Sequence, residues 1–180
     1  MKRILVVLVL LAVAGFAFAQ TDTDAHNVVI TIAPIAAIAL DDTVDVAFTT
    51  AAPALAGDDP GPTAALPATD TSKRLWYTAA NLGAANRTIT VTTSANAPAG
   101  TALTVEATVE AGAGNDLGVI DIDTAGSYLL IDTIPSVATG RTGGDGAGLT
   151  YSFWVATPAS LVVGALPTTI IVTYTLTEDL

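Results

Sequence analysis

Apolar and polar residues alternate over most of this chain. A period of two, with threonine at many of the polar positions, is typical of antiparallel strands that have one buried and one wet face. Threonine and valine also favour strands, because both branch at Cβ. The clearest runs are residues 27–32, 43–50, Arg87–Thr93, 102–109, 149–155 and 170–177. The pattern therefore predicts an all-β protein.

The inward face of each run follows from the same alternation. In 43–50 the positions predicted to face inward are Val44, Val46 and Phe48. In the last run they are the four apolar residues Ile170, Val172, Tyr174 and Leu176. Ile35–Leu40 is apolar enough for a short helix, but the preceding Pro34 favours an extended continuation or a corner.

Weaker strand patterns occur at 75–79, 119–123 and 128–133. Together these runs predict about nine strands, separated by stretches rich in Gly, Pro, Asn and Asp. Without amphipathic helix patterns between them, such strands predict an antiparallel two-sheet β-sandwich of the immunoglobulin or jelly-roll kind.

Residues 51–72 interrupt the pattern with four prolines and two glycines. Proline lacks the backbone donor that a central strand requires. We therefore predict a long surface loop here, which is either a mobile excursion or a contact surface for a subunit or ligand.

The first residues have the composition of a secretory leader. Lys2 and Arg3 precede a long apolar run, and Ala17-Phe18-Ala19 supplies the small residues that signal peptidase recognises. We expect a cleaved signal peptide at 1–19 and a single domain at 20–180, secreted or at the cell surface, with the periplasm as an alternative. No second apolar stretch long enough to span a membrane follows the leader.

Composition narrows the function classes. The chain has 17 acidic and 6 basic residues, with a net charge of −11. Nucleic acid attracts basic surfaces, so it is excluded as a partner. The chain has 0 cysteines, which excludes disulfides, thiol catalysis, cysteine-bound zinc and iron–sulfur clusters.

Few residues could carry chemistry. His26 is the single histidine, and no nucleophile signature accompanies it, so we expect a non-catalytic protein without a cofactor. Carboxylate oxygens are the ligands that calcium prefers. Two groups could supply them: Asp116, Asp121 and Asp123, which are the candidate calcium ligands, or alternatively Asp41, Asp42 and Asp45.

Two tryptophans are the remaining candidates for binding. Trp154 alternates with the inward residues of its run and should face outward, and Trp76 interrupts a polar region. An outward indole can stack on a sugar or fill a partner's pocket, although more often it packs under a loop.

The opening 26–32, the closing 173–179 and the leader resemble exported bacterial β-sandwich proteins of surface layers, fibres and cell walls. The ending is similar to the last strand of WxL-type wall-binding domains, but this chain lacks a Trp-x-Leu motif, and Trp76 is followed by Tyr77-Thr78. The resemblance implies an exported structural β-protein.

Our leading hypothesis is accordingly a structural or adhesive subunit of the cell envelope or of an extracellular filament. Such a subunit would self-associate, or bind envelope proteins, through its strands. The polar segment 20–27 is the candidate donor or linker. The alternative is a secreted module that binds carbohydrate or calcium.

Overall fold

The computed structural model describes residues 35–40, 44–51, 55–81, 85–161 and 168–178. Within them the regular secondary structure consists of β-strands, apart from one 3₁₀ turn at Pro158–Ser160. The strands are β1 (Ile35–Leu40), β2 (Ala68–Ala80), β3 (Arg87–Thr93), β4 (Thr101–Thr108), β5 (Asn115–Asp116), β6 (Val119–Asp121), β7 (Gly126–Ile134), β8 (Val137–Ala138), β9 (Ala147–Val155) and β10 (Val172–Glu178).

The strands form two antiparallel sheets, as the alternating pattern predicted. The first sheet has the order β1-β2-β9-β4-β6, and the short β8 also pairs with β2. The second sheet has the order β10-β3-β7-β5. Their inner faces share one hydrophobic core, whose largest fully buried side chains include Leu75, Ile89, Leu130 and Leu149. The described residues thus form a β-sandwich.

Most of the predicted strands are confirmed, and Arg87–Thr93 coincides with β3. In β9 the inward set Leu149, Tyr151, Phe153 and Val155 is buried, as its alternation predicted. Ile35–Leu40 is the strand β1, in register with the second half of β2. The predicted strand 27–32 lies outside the described residues.

The prediction for 43–50 is wrong in part. The described residues of this run, 44–50, are irregular and belong to neither sheet. Val46 and Phe48 still turn inward onto the core, whereas Val44 is 68% exposed. The alternation therefore identified two of the inward side chains correctly without identifying a strand, because a strand also needs a neighbouring backbone to pair with.

The predicted loop 51–72 ends earlier than expected, because β2 begins at Ala68 directly after the last proline. The first residues of β2 pair with β9, and the register of this pairing shifts between Asp70 and Lys73. At this bulge both the backbone N–H and the hydroxyl of Ser72 donate to the Asp70 carboxylate, at 2.9 and 2.7 Å. An Asp side chain can satisfy the donors of the extra residues in this way, so a polar stretch continues the strand.

Candidate functional site

A groove with a volume of about 710 Å³ lies between the two sheets of the described residues. Residues 44–48 and the inner residues of β9 line one side. Residues 168–172 and Tyr174, which include the first half of β10, line the other. This volume lies within the range of about 300–1,000 Å³ that ligand sites occupy. We call it the inter-sheet groove.

The walls of the inter-sheet groove combine apolar and polar groups, and the apolar ones include two stacked rings. Phe48 stacks on Phe153, with ring centroids 5.5 Å apart and an angle of 12° between the ring planes. Leu103 continues this wall, and Ile170 and Val172 face it from the second sheet. Stacked aromatic pairs stabilise by about 0.5–1.5 kcal/mol beyond the area they bury, so Phe48 anchors the irregular segment 44–50 to the first sheet.

A buried cation lies at the first sheet's side of the groove. Lys73 is 5% exposed, and its ammonium group donates a hydrogen bond to the carbonyl oxygen of Val44. Burying an ammonium group is costly unless it is hydrogen-bonded. The contact therefore ties the start of the irregular segment to β2, and no feature of the sequence predicted it.

Two tyrosine hydroxyls connect the sheets inside the groove. The hydroxyl groups of Tyr151, on β9, and Tyr174, on β10, are hydrogen-bonded to each other. Burial raises the pKa of both phenols above the ordinary value, which makes both hydroxyls neutral at physiological pH. The alternation predicted that both rings face inward, but only the folded chain places them opposite each other.

Burial decreases sharply from the centre of the second sheet to the strand that borders the groove. On β3 the inward residues Ile89 and Val91 are 0% exposed. On β10, the next strand, the inward residues Val172, Tyr174 and Leu176 are only half-buried. Among the described strands, β10 has a partner on one side only, which is β3. The inter-sheet groove therefore opens beside a sheet edge whose apolar side chains are incompletely covered.

The three candidate calcium ligands lie in different parts of the sandwich. Asp116 lies in β5 of the second sheet, where it pairs with Ile131. Asp121 lies in β6 of the first sheet, and Asp123 follows it and accepts a hydrogen bond from the Thr124 hydroxyl at 3.1 Å. In the described ranges no three His, Cys, Asp or Glu side chains are grouped so that they could hold a metal ion. Of the other acidic group, Asp45 lines the groove, and Asp41 and Asp42 lie outside the described residues.

The two tryptophans are half-buried on the outer face of the first sheet. The guanidinium carbon of Arg141 lies 5.0 Å from the ring centroid of Trp76. Trp76 thus packs beneath the loop that contains Arg141, and the ring face under the guanidinium is occupied. Its indole N–H is buried and has no hydrogen-bond partner among the described residues.

The outer face of the second sheet carries a threonine ladder, which consists of three cross-strand pairs between β3 and β10. The pairs are Thr88 with Thr177, Thr90 with Thr175, and Thr92 with Thr173. The hydroxyls of the first pair are 3.1 Å apart, within hydrogen-bond distance. The predicted wet face of both strands is confirmed, because all six side chains are at least partly exposed.

Comparison of the chain with protein-family models, with curated proteins and with solved structures finds no match. Within the described ranges, no helix has the length and apolar character needed to cross a bilayer.

Proposed function

We propose that this protein is a non-catalytic, exported structural or adhesive subunit that assembles through its β-strands. The observation that carries the proposal is the position of β10 beside the inter-sheet groove, as a strand that pairs on one side only among the described strands. An unpaired edge with accessible apolar side chains is a ready template for an added strand. The leader predicted at 1–19 supports export, and the high acid content suits a protein that must stay soluble until it assembles.

The composition of β10 supports this function further. Natural sheet edges are commonly protected by lysine, proline or inward-pointing charges. Residues 172–177 of β10 contain none of these, and Glu178 at the end of the strand is its one charged residue. An edge strand without these protective residues, beside a groove with apolar and polar lining, is therefore suited to receive another chain.

The first experiment is electron microscopy of the purified protein over a range of concentrations, together with size-exclusion chromatography. We expect filaments, lattices or a ladder of oligomers that grows with concentration. Particles that stay monomeric at every concentration would contradict the proposal.

A matched pair of variants tests whether assembly takes place through β10. Val172→Lys places a charge on the inward, groove-lining side of β10, and Thr173→Lys places the same charge on its outward side. A lysine on either side of an edge strand opposes strand addition, and an inward-pointing charge opposes it most strongly, so Val172→Lys should prevent assembly and Thr173→Lys should weaken it less. Thermal unfolding followed by circular dichroism establishes that each variant is folded. If the folded Val172→Lys variant assembles as the parent does, β10 is not the assembly edge.

A further inference from the structure

Two of the four tyrosines meet inside the inter-sheet groove. The hydroxyls of Tyr151 and Tyr174 are hydrogen-bonded to each other, whereas those of Tyr77 and Tyr128 donate to backbone carbonyls. All four tyrosines of the chain are among the described residues, so this is its one hydrogen-bonded pair of phenols. We infer that the pair is an oxidative modification site, at which the two rings become joined by a covalent bond that links the sheets.

Regular strands hold both phenols in position. Tyr151 lies in β9, which pairs with β2 on one side and with β4 on the other. Tyr174 lies in β10, where it pairs with Val91 of β3. Reactive groups that a fold holds in contact react far faster than the same groups diffusing freely. The two rings are therefore arranged for coupling to each other before any oxidant arrives.

The coupling is a two-electron oxidation. Each phenol loses its hydroxyl hydrogen, as one proton and one electron, and becomes a phenoxyl radical whose unpaired electron is shared with the ortho ring carbons. A carbon–carbon bond forms between one ortho carbon of each ring, and the hydrogens of these two carbons then move to the oxygens, which restores both phenols. The oxidant is a peroxide, whose O–O bond breaks as it takes up the two electrons. Hydrogen peroxide also takes up the two protons and leaves as two molecules of water.

The location of the pair gives an oxidant a route to it. Both tyrosines line the inter-sheet groove. Tyr151 is only 6% exposed, but Tyr174 is half-buried. A small oxidant can therefore remove an electron from Tyr174 first, and the hydrogen-bonded Tyr151 is the neighbouring phenol with which the radical then couples.

Few other side chains compete for the oxidant. Thiols and thioethers are readily oxidised, but the chain has 0 cysteines, and its 1 methionine is Met1. The two tryptophans lie on the outer face of the first sheet, away from the groove. A bond between the two tyrosines thus provides a covalent link between the sheets in a chain that cannot form a disulfide.

Oxidation of the purified full chain tests the inference. Dilute protein is treated with light-activated persulfate, a small peroxide oxidant, and the monomer is isolated by denaturing electrophoresis. We expect this monomer to show the blue fluorescence of coupled phenols and a mass lower by two hydrogen atoms. Chymotrypsin cleaves after aromatic residues and leucine, several of which lie between the two tyrosines. Mass spectrometry of the digest should therefore find two peptides joined through Tyr151 and Tyr174.

Three controls accompany the parent. Tyr151→Phe and Tyr174→Phe each remove one phenol of the pair, so the monomer fluorescence and the joined peptides should be lost. Tyr128→Phe leaves the pair intact and should keep both signals. The parent unfolded in urea should give at least about tenfold less of the joined product, because the fold no longer holds the rings together. Circular dichroism establishes that each variant is folded before oxidation.

Four results would overturn the inference: no coupled product in the folded monomer, joined peptides that contain other tyrosines, equal yields from folded and unfolded chains, or full monomer fluorescence in Tyr151→Phe. The product forms within one chain, so this outcome is independent of the proposed function. Electron microscopy of the untreated protein tests assembly separately.

Discussion

The hydroxyl pair between Tyr151 and Tyr174 gives a quantitative prediction about how the sheets are joined at the groove. Tyr151→Phe or Tyr174→Phe removes one hydroxyl and leaves the other without its partner. A buried polar group left unsatisfied costs about 1–3 kcal/mol. Tyr151 is only 6% exposed, whereas Tyr174 is half-buried. Water can therefore reach part of the site, and we expect each single variant to lose about 1–2 kcal/mol of unfolding free energy.

The double variant should lose less than the sum of the two single losses. When both hydroxyls are removed, no donor or acceptor is left without a partner, and such a replacement can be nearly neutral. We therefore expect the double variant to cost at most about 1 kcal/mol. The two single losses should exceed the double loss by about 1 kcal/mol or more, which is the coupling between the residues.

Urea unfolding of the parent, both single variants and the double variant measures the four unfolding free energies. They can be compared when the slope of unfolding free energy against urea concentration is the same in all four proteins. Tyr128→Phe is the control. Its hydroxyl donates to the Thr124 carbonyl only four residues away, at 2.8 Å and exposed to water, so its loss should cost no more than about 0.5 kcal/mol. If the two tyrosine losses add to within about 0.3–0.5 kcal/mol, the hydroxyls are not energetically coupled, and the argument for an inter-sheet tie at the groove fails.

Three further predictions concern the remaining structure. Gly146 has a φ of +79°, and a Cβ there would collide with the Leu75 carbonyl oxygen; Gly146→Ala should therefore destabilise by at least about 2 kcal/mol. Gly143→Ala, which meets open space, should change stability by less than about 0.5 kcal/mol in the same urea measurement. Arg141→Ala should cost about 0.5–1 kcal/mol and change tryptophan fluorescence, whereas Arg141→Lys keeps the charge and most of the stability; equal losses would argue against a cation–π contact. Burial, followed by the charge of Glu110, raises the pKa of Tyr77 from 10.0 to about 12. Above pH 10 the folded state then binds more protons than the unfolded state, so stability is complete below about pH 10 and falls as the pH rises towards 12. Tyr77→Phe should make this fall smaller, as urea unfolding at about pH 9 and about pH 11 would show, and an unchanged slope would contradict the assigned pKa.

The sequence predicted best those features that depend only on residues close together in the chain. In β3 and β9 the alternation identified both the strand and its buried face, since a period of two depends only on neighbouring residues. It also identified Val46 and Phe48 as inward residues, although no strand forms there. It failed for the start of β2, where the Asp70 side chain satisfies the donors of Ser72 and so lets a polar stretch remain in the ladder.

The candidate site could not be predicted in the same way, because its parts are far apart in the chain. Phe48, Lys73, Phe153 and Val172 meet only after the two sheets have packed. Conversely, residues that are close in sequence can be separated by the fold. Asp116 and Asp121 are close in sequence, yet they lie in different sheets, because the chain crosses between the sheets within the few residues that separate them.

The sequence alone was enough to predict the all-β class and the inward face of most strands, and its lack of cysteine excludes thiol chemistry. These properties follow from the composition and from side chains that alternate along one strand. Only the tertiary structure decided which strands lie at the edges, that β10 has a single partner among the described strands, and that a groove lies between β9 and β10. The physical reason is that strand order and inter-sheet packing depend on contacts between distant segments, and a local period contains no information about which segments become neighbours.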